Sequence, residues 1–289
     1  MFWNTLRNEN TKLLKRSLLW IELALFAGLV LLAQLVFYLV LQNNLGGEAA
    51  LPDAQAQLRH MVTWPGALLN VLGFASGNAI GGLLLIILTG AVTAQEYSWR
   101  TLHLWLSRGV PRPVLLGARF AGLLLPALLI TLTPLLVGGL LSAFFTLQLD
   151  GALPLDQVSF IQLGLSLLRT AYTLLPYAAL AFLLAVATRS VVVAVGGGLA
   201  FALLVEGILI QVLALLGGSL AQIGRYLPAG LSNGLLSLNR AVVVTLEVNG
   251  RQAQLSSLEP LPAAIGIALW TLLFVTLAFS IFRRQDLTG

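Results

Sequence analysis

Six long apolar runs dominate the chain and leave it little choice of fold. They cover about residues 18–41, 66–93, 114–147, 160–188, 191–216 and 262–282. Roughly 20 apolar residues in a helix cross the hydrocarbon core of a bilayer, and only a helix or a closed barrel satisfies its backbone donors and acceptors there. Most of the runs are apolar all round, so they lack the polar face of a helix that borders water. Charged residues make up 9% of the 289, against about 25% in a soluble domain. That is too few to cover a surface in water. The sequence therefore predicts an all-α integral membrane protein of six transmembrane helices, one domain over residues 1–289. The third run is long enough to tilt, or to break at Pro126 or Pro134, and the fourth contains Pro176.

Orientation follows from the basic residues, which collect on the cytoplasmic side of membrane proteins. With the N-terminus inside, that side receives Arg7, Lys12, Lys15, Arg16, Arg100, Arg108, Arg112, Arg119, Arg189, Arg283 and Arg284. The outside receives Arg59, Arg225, Arg240 and Arg251, and Arg169 lies within a run. Both termini are thus expected in the cytoplasm. The net charge of +5 then reflects flanks that meet anionic lipid, not nucleic acid. Residues 1–17 read as an interfacial helix, with Phe2, Trp3, Leu6, Leu13 and Leu14 in the headgroup layer and Arg7, Lys12 and Lys15 toward water. They are too long and too charged before the first run for a cleaved signal peptide, so that run reads as a retained span.

The loop at 217–261 is the only long one with structural signals. GRYLPAGLSNGLLSL suggests a short helix or re-entrant element at the outer face. Asn249-Gly250 sits between two strand-like runs, VVVTLEV and RQAQL, which predicts a small β-hairpin.

Catalytic chemistry is missing. The chain has no cysteine and only two histidines, neither beside ligand-spaced acids, so no metal site is expected. It contains no Gly-Lys dipeptide, hence no phosphate-binding P-loop. No cofactor is expected on this chain, and active transport would draw its energy from an ion gradient or a partner.

Some polar and small residues fall inside the runs. Glu22 and Arg119 lie near the inner surface, where the first can pair with a basic residue and the second can snorkel. Arg169 and Glu206 lie at similar depths on either side of the turn near Arg189, about 30 and 24 Å from it at 1.5 Å per residue. An ion pair between them is expected, either structural or lining a path. Gly73, Gly77 and Gly81 are four apart, beside Ser76 and Asn78, and glycines 196–198 are consecutive. Such small-residue ladders let helices pack closely. Asn78, Gly77, Gly81, Gly197, Arg169 and Glu206 are the candidates for a translocation path or gate.

The link between the second and third runs is the most charged part of the interior: AQEYSWRTLHLWLSRGVPRPVLL at 94–116. On a helix over 97–108, Trp99, Leu102, Trp105 and Leu106 fall on one face, and Arg100, His103 and Ser107 on the other. This is an amphipathic helix lying on the inner surface. The segment resembles the cytoplasmic loop of ABC transporter permeases of the ABC-2 type, the type V exporter fold. Glu96 matches the family's glutamate and Thr101 its threonine. Leu102, Leu104 and Leu106 match its apolar run, and Ser107-Arg108, Arg112 and Arg119 its basic part. Arg100 stands where a glycine is usual, and Gly109 where a proline is usual. Tyr226–Pro228 and the terminal FRRQDL are also similar.

The resemblance implies a permease subunit of an ATP-driven exporter in a bacterial inner membrane. Its partners would be a second permease copy, forming a homodimer, and cytoplasmic ABC ATPase subunits that hold ATP and Mg. The 97–108 segment would be the coupling helix, with Glu96, Tyr97, Arg100, Thr101, Arg108 and Arg112 meeting the ATPase. Two alternatives stay open. One is a permease of the same kind that supports maturation of an extracytoplasmic enzyme, docked on the 217–261 loop. The other is an ion-gradient-driven secondary transporter, which should show repeats and acid-lined midplane sites.

Overall fold

The computed structural model describes residues 2–45, 52–98, 109–212, 222–239, 247–248, 251–252 and 258–285. Among them, six helical stretches are long and apolar enough to cross a membrane. These are Ser17–Asn43, Ile80–Tyr97, Arg112–Asp150, Phe160–Thr188, Val191–Val212 and Pro260–Arg284, numbered here spans 1 to 6. The chain is a nearly all-helical, multi-pass membrane protein.

Helix α1 (Phe2–Lys15) precedes span 1, which is α2 (Ser17–Leu45). Two short helices follow, α3 (Pro52–Val62) and α4 (Gly66–Phe74), and then α5 (Ile80–Ser98), which carries span 2. The run at 66–93 is therefore not one continuous helix, as its hydropathy suggested. The chain leaves the helix at 75–79, where Ser76 Oγ donates to the Gly73 carbonyl oxygen at 2.7 Å and contacts Asn78 Oδ1 at 3.0 Å. Serine and asparagine offer the backbone an alternative to the helical ladder, and here two of them flank a glycine. The expected glycine ladder is also corrected. Gly73 faces open space, and Gly81 sits against Ala75 of its own segment. Gly77 alone accepts a foreign backbone: its N–H donates to Thr173 Oγ1 at 3.0 Å, and a methyl there would overlap the Thr173 carbonyl and the Tyr177 ring.

Spans 3 and 4 are each two helices joined at one residue. Span 3 is α6 (Arg112–Gly122) and α7 (Leu124–Asp150), and span 4 is α8 (Phe160–Thr173) and α9 (Leu175–Thr188). The break in span 3 falls at Leu123, not at Pro126 or Pro134. Proline lacks an N–H, so it fits best in a first helical turn, where that donor has no intrahelical partner. Pro126 and Pro176 both lie in the first turns of the restarted helices, whereas Pro134 stays inside α7.

Span 5 starts as α10 (Val191–Ala200) and continues as a π-helix over Phe201–Leu209. Gly197 packs against Leu184 and Gly198 against Ile86, while Gly196 faces open space. Helix α11 (Pro228–Leu236) lies in the loop before span 6, which is α12 (Pro260–Arg284). Strands β1 (Glu247–Val248) and β2 (Arg251–Gln252) pair antiparallel, Glu247 opposite Gln252. The Asn249-Gly250 turn lies outside the described residues.

Spans 2 and 4 form the core, being 72% and 67% buried, against 22%, 17% and 28% for spans 1, 5 and 6. Helix α9 packs on α5, α10 and α12. Leu85, Leu88 and Val92 of α5 meet Leu19, Leu23 and Phe26 of α2, with Ala127 and Ile130 of α7. Large apolar side chains such as Leu140, Leu204 and Leu269 remain exposed. In water they would form an aggregating surface, but against lipid they are at no disadvantage.

Candidate functional site

Both termini lie at one end of the bundle, where α1 packs on α6 and the end of span 6 reaches the start of span 3. Along α1, Thr5, Glu9 and Leu13 recur every four residues and form its buried stripe. That spacing places an acid inside the interface. Opposite it, Leu115, Leu116, Ala118, Arg119 and Gly122 form the buried side of α6. Two expectations therefore change. Leu13 is in the apolar core instead of the headgroup layer, and Lys12 bonds to Glu9 at 2.9 Å instead of facing water alone.

The result is a knot of charges. Arg119 forms an ion pair with Glu96 and lies 4.0 Å from Glu9. Lys12 is 3.8 Å from Glu96. Arg16 donates to Gln95 Oε1 at 2.6 Å, and burial lowers its pKa from the ordinary value, with Glu9 partly offsetting the effect. Glu96 and Arg119 are only 4% and 6% exposed. Three cations and two carboxylates thus join α1, α5 and α6. A cleft of about 20 Å³ lies between them, lined by Glu9, Thr93, Glu96 and Arg119; that is room for about one water. Attraction between buried charges roughly offsets their lost hydration, so the knot adds little net stability, but losing one member leaves its partner unmatched.

A second set of bonds starts one residue further on. Arg189, at the turn between spans 4 and 5, lies 5.9 Å from the centre of the Tyr97 ring. Its backbone is left-handed, with φ 56°, where it ends α9. Tyr97 Oη lies 3.5 Å from Gln285 Oε1, and Gln285 Nε2 donates to the Val186 carbonyl at 2.7 Å. Arg112 donates to the carbonyls of Arg283 and Gln285 at 3.0 and 3.3 Å. Tyr97, Arg112, Arg189 and Gln285 thus tie spans 2, 3, 4 and 6 together.

Of the residues assigned to the coupling surface, Glu96 is a correction. It is buried and engaged inside the chain, so it is not a surface contact. Arg119 is likewise buried instead of snorkelling. Tyr97 and Arg112 hold other spans. Arg100, Thr101 and Arg108 lie outside the described residues, as does most of the amphipathic segment 97–108. Glu22 also departs from expectation. It is 7% exposed, and neither oxygen has a hydrogen-bond partner among the described residues.

At the opposite end the expected Arg169–Glu206 pair does not form. Glu206, on the π-helix, accepts from Tyr177 Oη at 2.6 Å and from the Ala229 N–H at 3.0 Å. The second bond caps the first turn of α11, whose orphan donors favour an anion. Arg169 donates instead to Asn239 Oδ1 at 3.3 Å. Equal depth is a match in one dimension only: two residues level along parallel axes still need facing side chains. Asn78 donates to Asn233 of α11 at 3.0 Å, linking the break between α4 and span 2 to the same short helix. Sequence reasoning missed Glu9, Tyr177, Asn239 and Gln285. Glu9 was findable, being an acid at the four-residue spacing of Thr5 and Leu13. The other three are ordinary polar residues until folding gives them partners.

A family model described as protein of unknown function (DUF2705) matches residues 80–288. The match takes in Glu96, Arg119 and Gln285 but leaves out α1, which supplies Glu9, Lys12 and Arg16. No curated protein matches the chain.

Proposed function

This chain belongs to the DUF2705 family, whose description names no function, and from the geometry of its charged end we propose that it is the permease subunit of an ATP-driven exporter, moved by separate ATPase subunits on that end, which would face the cytoplasm. The observation that carries the reading is the knot of Glu9, Lys12, Glu96 and Arg119 at the root of the segment 99–108. A push on that segment reaches α1 and α6 through Glu96. Through Tyr97 it reaches the turn of spans 4 and 5 and the end of span 6. Glu96 then transmits force inside the subunit, and Arg100, Thr101 and Arg108 are left to touch the motor.

The path would open at the far end. There α11 is held by Glu206 at its first turn and by Asn78 at its middle. These bonds, with the close approach at Gly77, favour α11 as the element that moves. The working unit would be two permease copies in a bacterial inner membrane, with ATP and Mg on the partner ATPases.

The test is direct. The chain has no native cysteine, so a thiol placed by Arg108→Cys is its only one. Purified from its native host with a reversible thiol crosslinker, that variant should capture an ATPase subunit. Clean recovery of the permease with no ATPase attached, crosslinked or co-purified, rejects the reading.

A further inference from the structure

Arg169 is a cation inside a span, and the chain gives it no counter-charge among the described residues. Among the described residues its one hydrogen bond goes to a neutral amide, Asn239 Oδ1. Asn239 is buried, and its own amide nitrogen is spent on the Ser166 carbonyl at 3.2 Å and Thr170 Oγ1 at 3.3 Å. That fixes the amide with its oxygen toward the guanidinium. Asn239 therefore aims Arg169 without neutralising it, and most of the five N–H donors of the arginine remain to be used.

Position says what they face. On α8, Ser166, Thr170 and Thr173 are buried, while Ile161, Leu165 and Leu168 form an exposed apolar stripe. Arg169 is half-buried at the border of the two. It lies nine residues into α8, about 13 Å from the helix start at 1.5 Å per residue. Helical side chains tilt toward the N-terminal end, which here is the end that carries Asp156 and Ser159. Held by Asn239 at the edge of the lipid-facing stripe, a long arginine side chain so tilted points toward the headgroup layer. A rigid fork of N–H donors at that depth matches the two free oxygens of a phosphodiester.

We propose that Arg169, oriented by Asn239, is a phosphate-binding site that opens to the membrane and holds the headgroup of a phospholipid. The same fork could serve a phosphate carried by a water-soluble molecule, and the two sources separate experimentally.

The full chain, delipidated in detergent, is titrated with phosphatidylglycerol, with phosphatidylcholine, with diacylglycerol and with inorganic phosphate. Bound molecules are counted by native mass spectrometry, and thermal stability is followed in parallel. Both phospholipids should fill one site that Arg169→Gln lacks, and diacylglycerol, which has the chains but no phosphate, should not fill it. Arg169→Lys keeps the charge but loses the fork, so it should bind roughly tenfold more weakly, which is one 1.4 kcal/mol step; this variant also carries the test should Arg169→Gln fail to fold. Arg59→Gln, at the same end, should bind as the native chain does. Saturable, Arg169-dependent binding of inorganic phosphate without lipid would replace the lipid source by a soluble one. Equal phospholipid counts and affinities in the native chain, Arg169→Gln and Arg169→Lys would overturn the proposal, as would diacylglycerol binding as tightly as the phospholipids.

Discussion

The two ends of the bundle bury polar groups by opposite means. At the end with the termini, full charges meet full charges across three helices: Glu9, Lys12, Glu96 and Arg119. At the other end a hydroxyl, an amide or a backbone N–H answers each polar group. Tyr177 and Ala229 serve Glu206, Asn233 serves Asn78, and Thr173 serves Gly77. The difference is mechanical. A charge knot has several partners per ion and keeps some attraction as distances change, so it moves as a block. A single hydrogen bond to a hydroxyl, an amide or a backbone N–H is directional and weakens steeply as its geometry changes. The first suits a lever, the second a latch.

Breaking the knot should have the largest effect. Arg119→Leu leaves Glu96 and Glu9 without their buried cation, and the loss should be about 3–5 kcal/mol, read as a sharp drop in melting temperature in detergent. Restoring opposite charges, with Glu96→Arg and Arg119→Glu together, should recover part of it. Recovery absent and a native melting point in Arg119→Leu would together show that the knot is not a unit.

The latch should answer next. Glu206→Leu orphans the Tyr177 hydroxyl and the Ala229 N–H, at about 1–3 kcal/mol for each buried group. Hydrogen exchange should quicken in α11 and hardly change in α1. Glu206→Gln keeps an acceptor for Ala229 and should exchange more slowly than Glu206→Leu. Uniform change across both ends would erase the contrast between them.

Gly77→Ala sharpens the comparison at one contact. The methyl meets the Thr173 carbonyl and should cost about 1–3 kcal/mol, whereas Gly73→Ala, facing open space, should be neutral or slightly stabilising. The smallest effect belongs to the exposed pair of Arg59 and Asp150. Arg59→Gln should shift stability by about 1 kcal/mol or less, and less still at high salt.

Much of this architecture was legible in the residues. Hydropathy alone placed six spans, with the fourth bounded as the structure has it, because burying an apolar helix in lipid depends only on its own composition. An even number of spans brings both termini to one end. The helical period on α1 would have exposed Glu9. Sequence also marked Arg169 and Glu206 as unusual, since a charge within a bilayer is costly wherever the helix goes.

What the sequence could not supply was partnership. Hydropathy read 66–93 as one helix, because it does not register Ser76 and Asn78 competing for the backbone. Depth paired Arg169 with Glu206, but the faces of α8 and the π-turn of span 5 sent one to Asn239 and the other to Tyr177 and α11. Resemblance put Glu96 on a surface that meets an ATPase, and the packing of α1 on α6 put it inside a knot. How deep a residue lies follows from the residues along its own helix. Which side chain it meets depends on the rotation and crossing of two helices far apart in the chain, and only the tertiary structure fixes that.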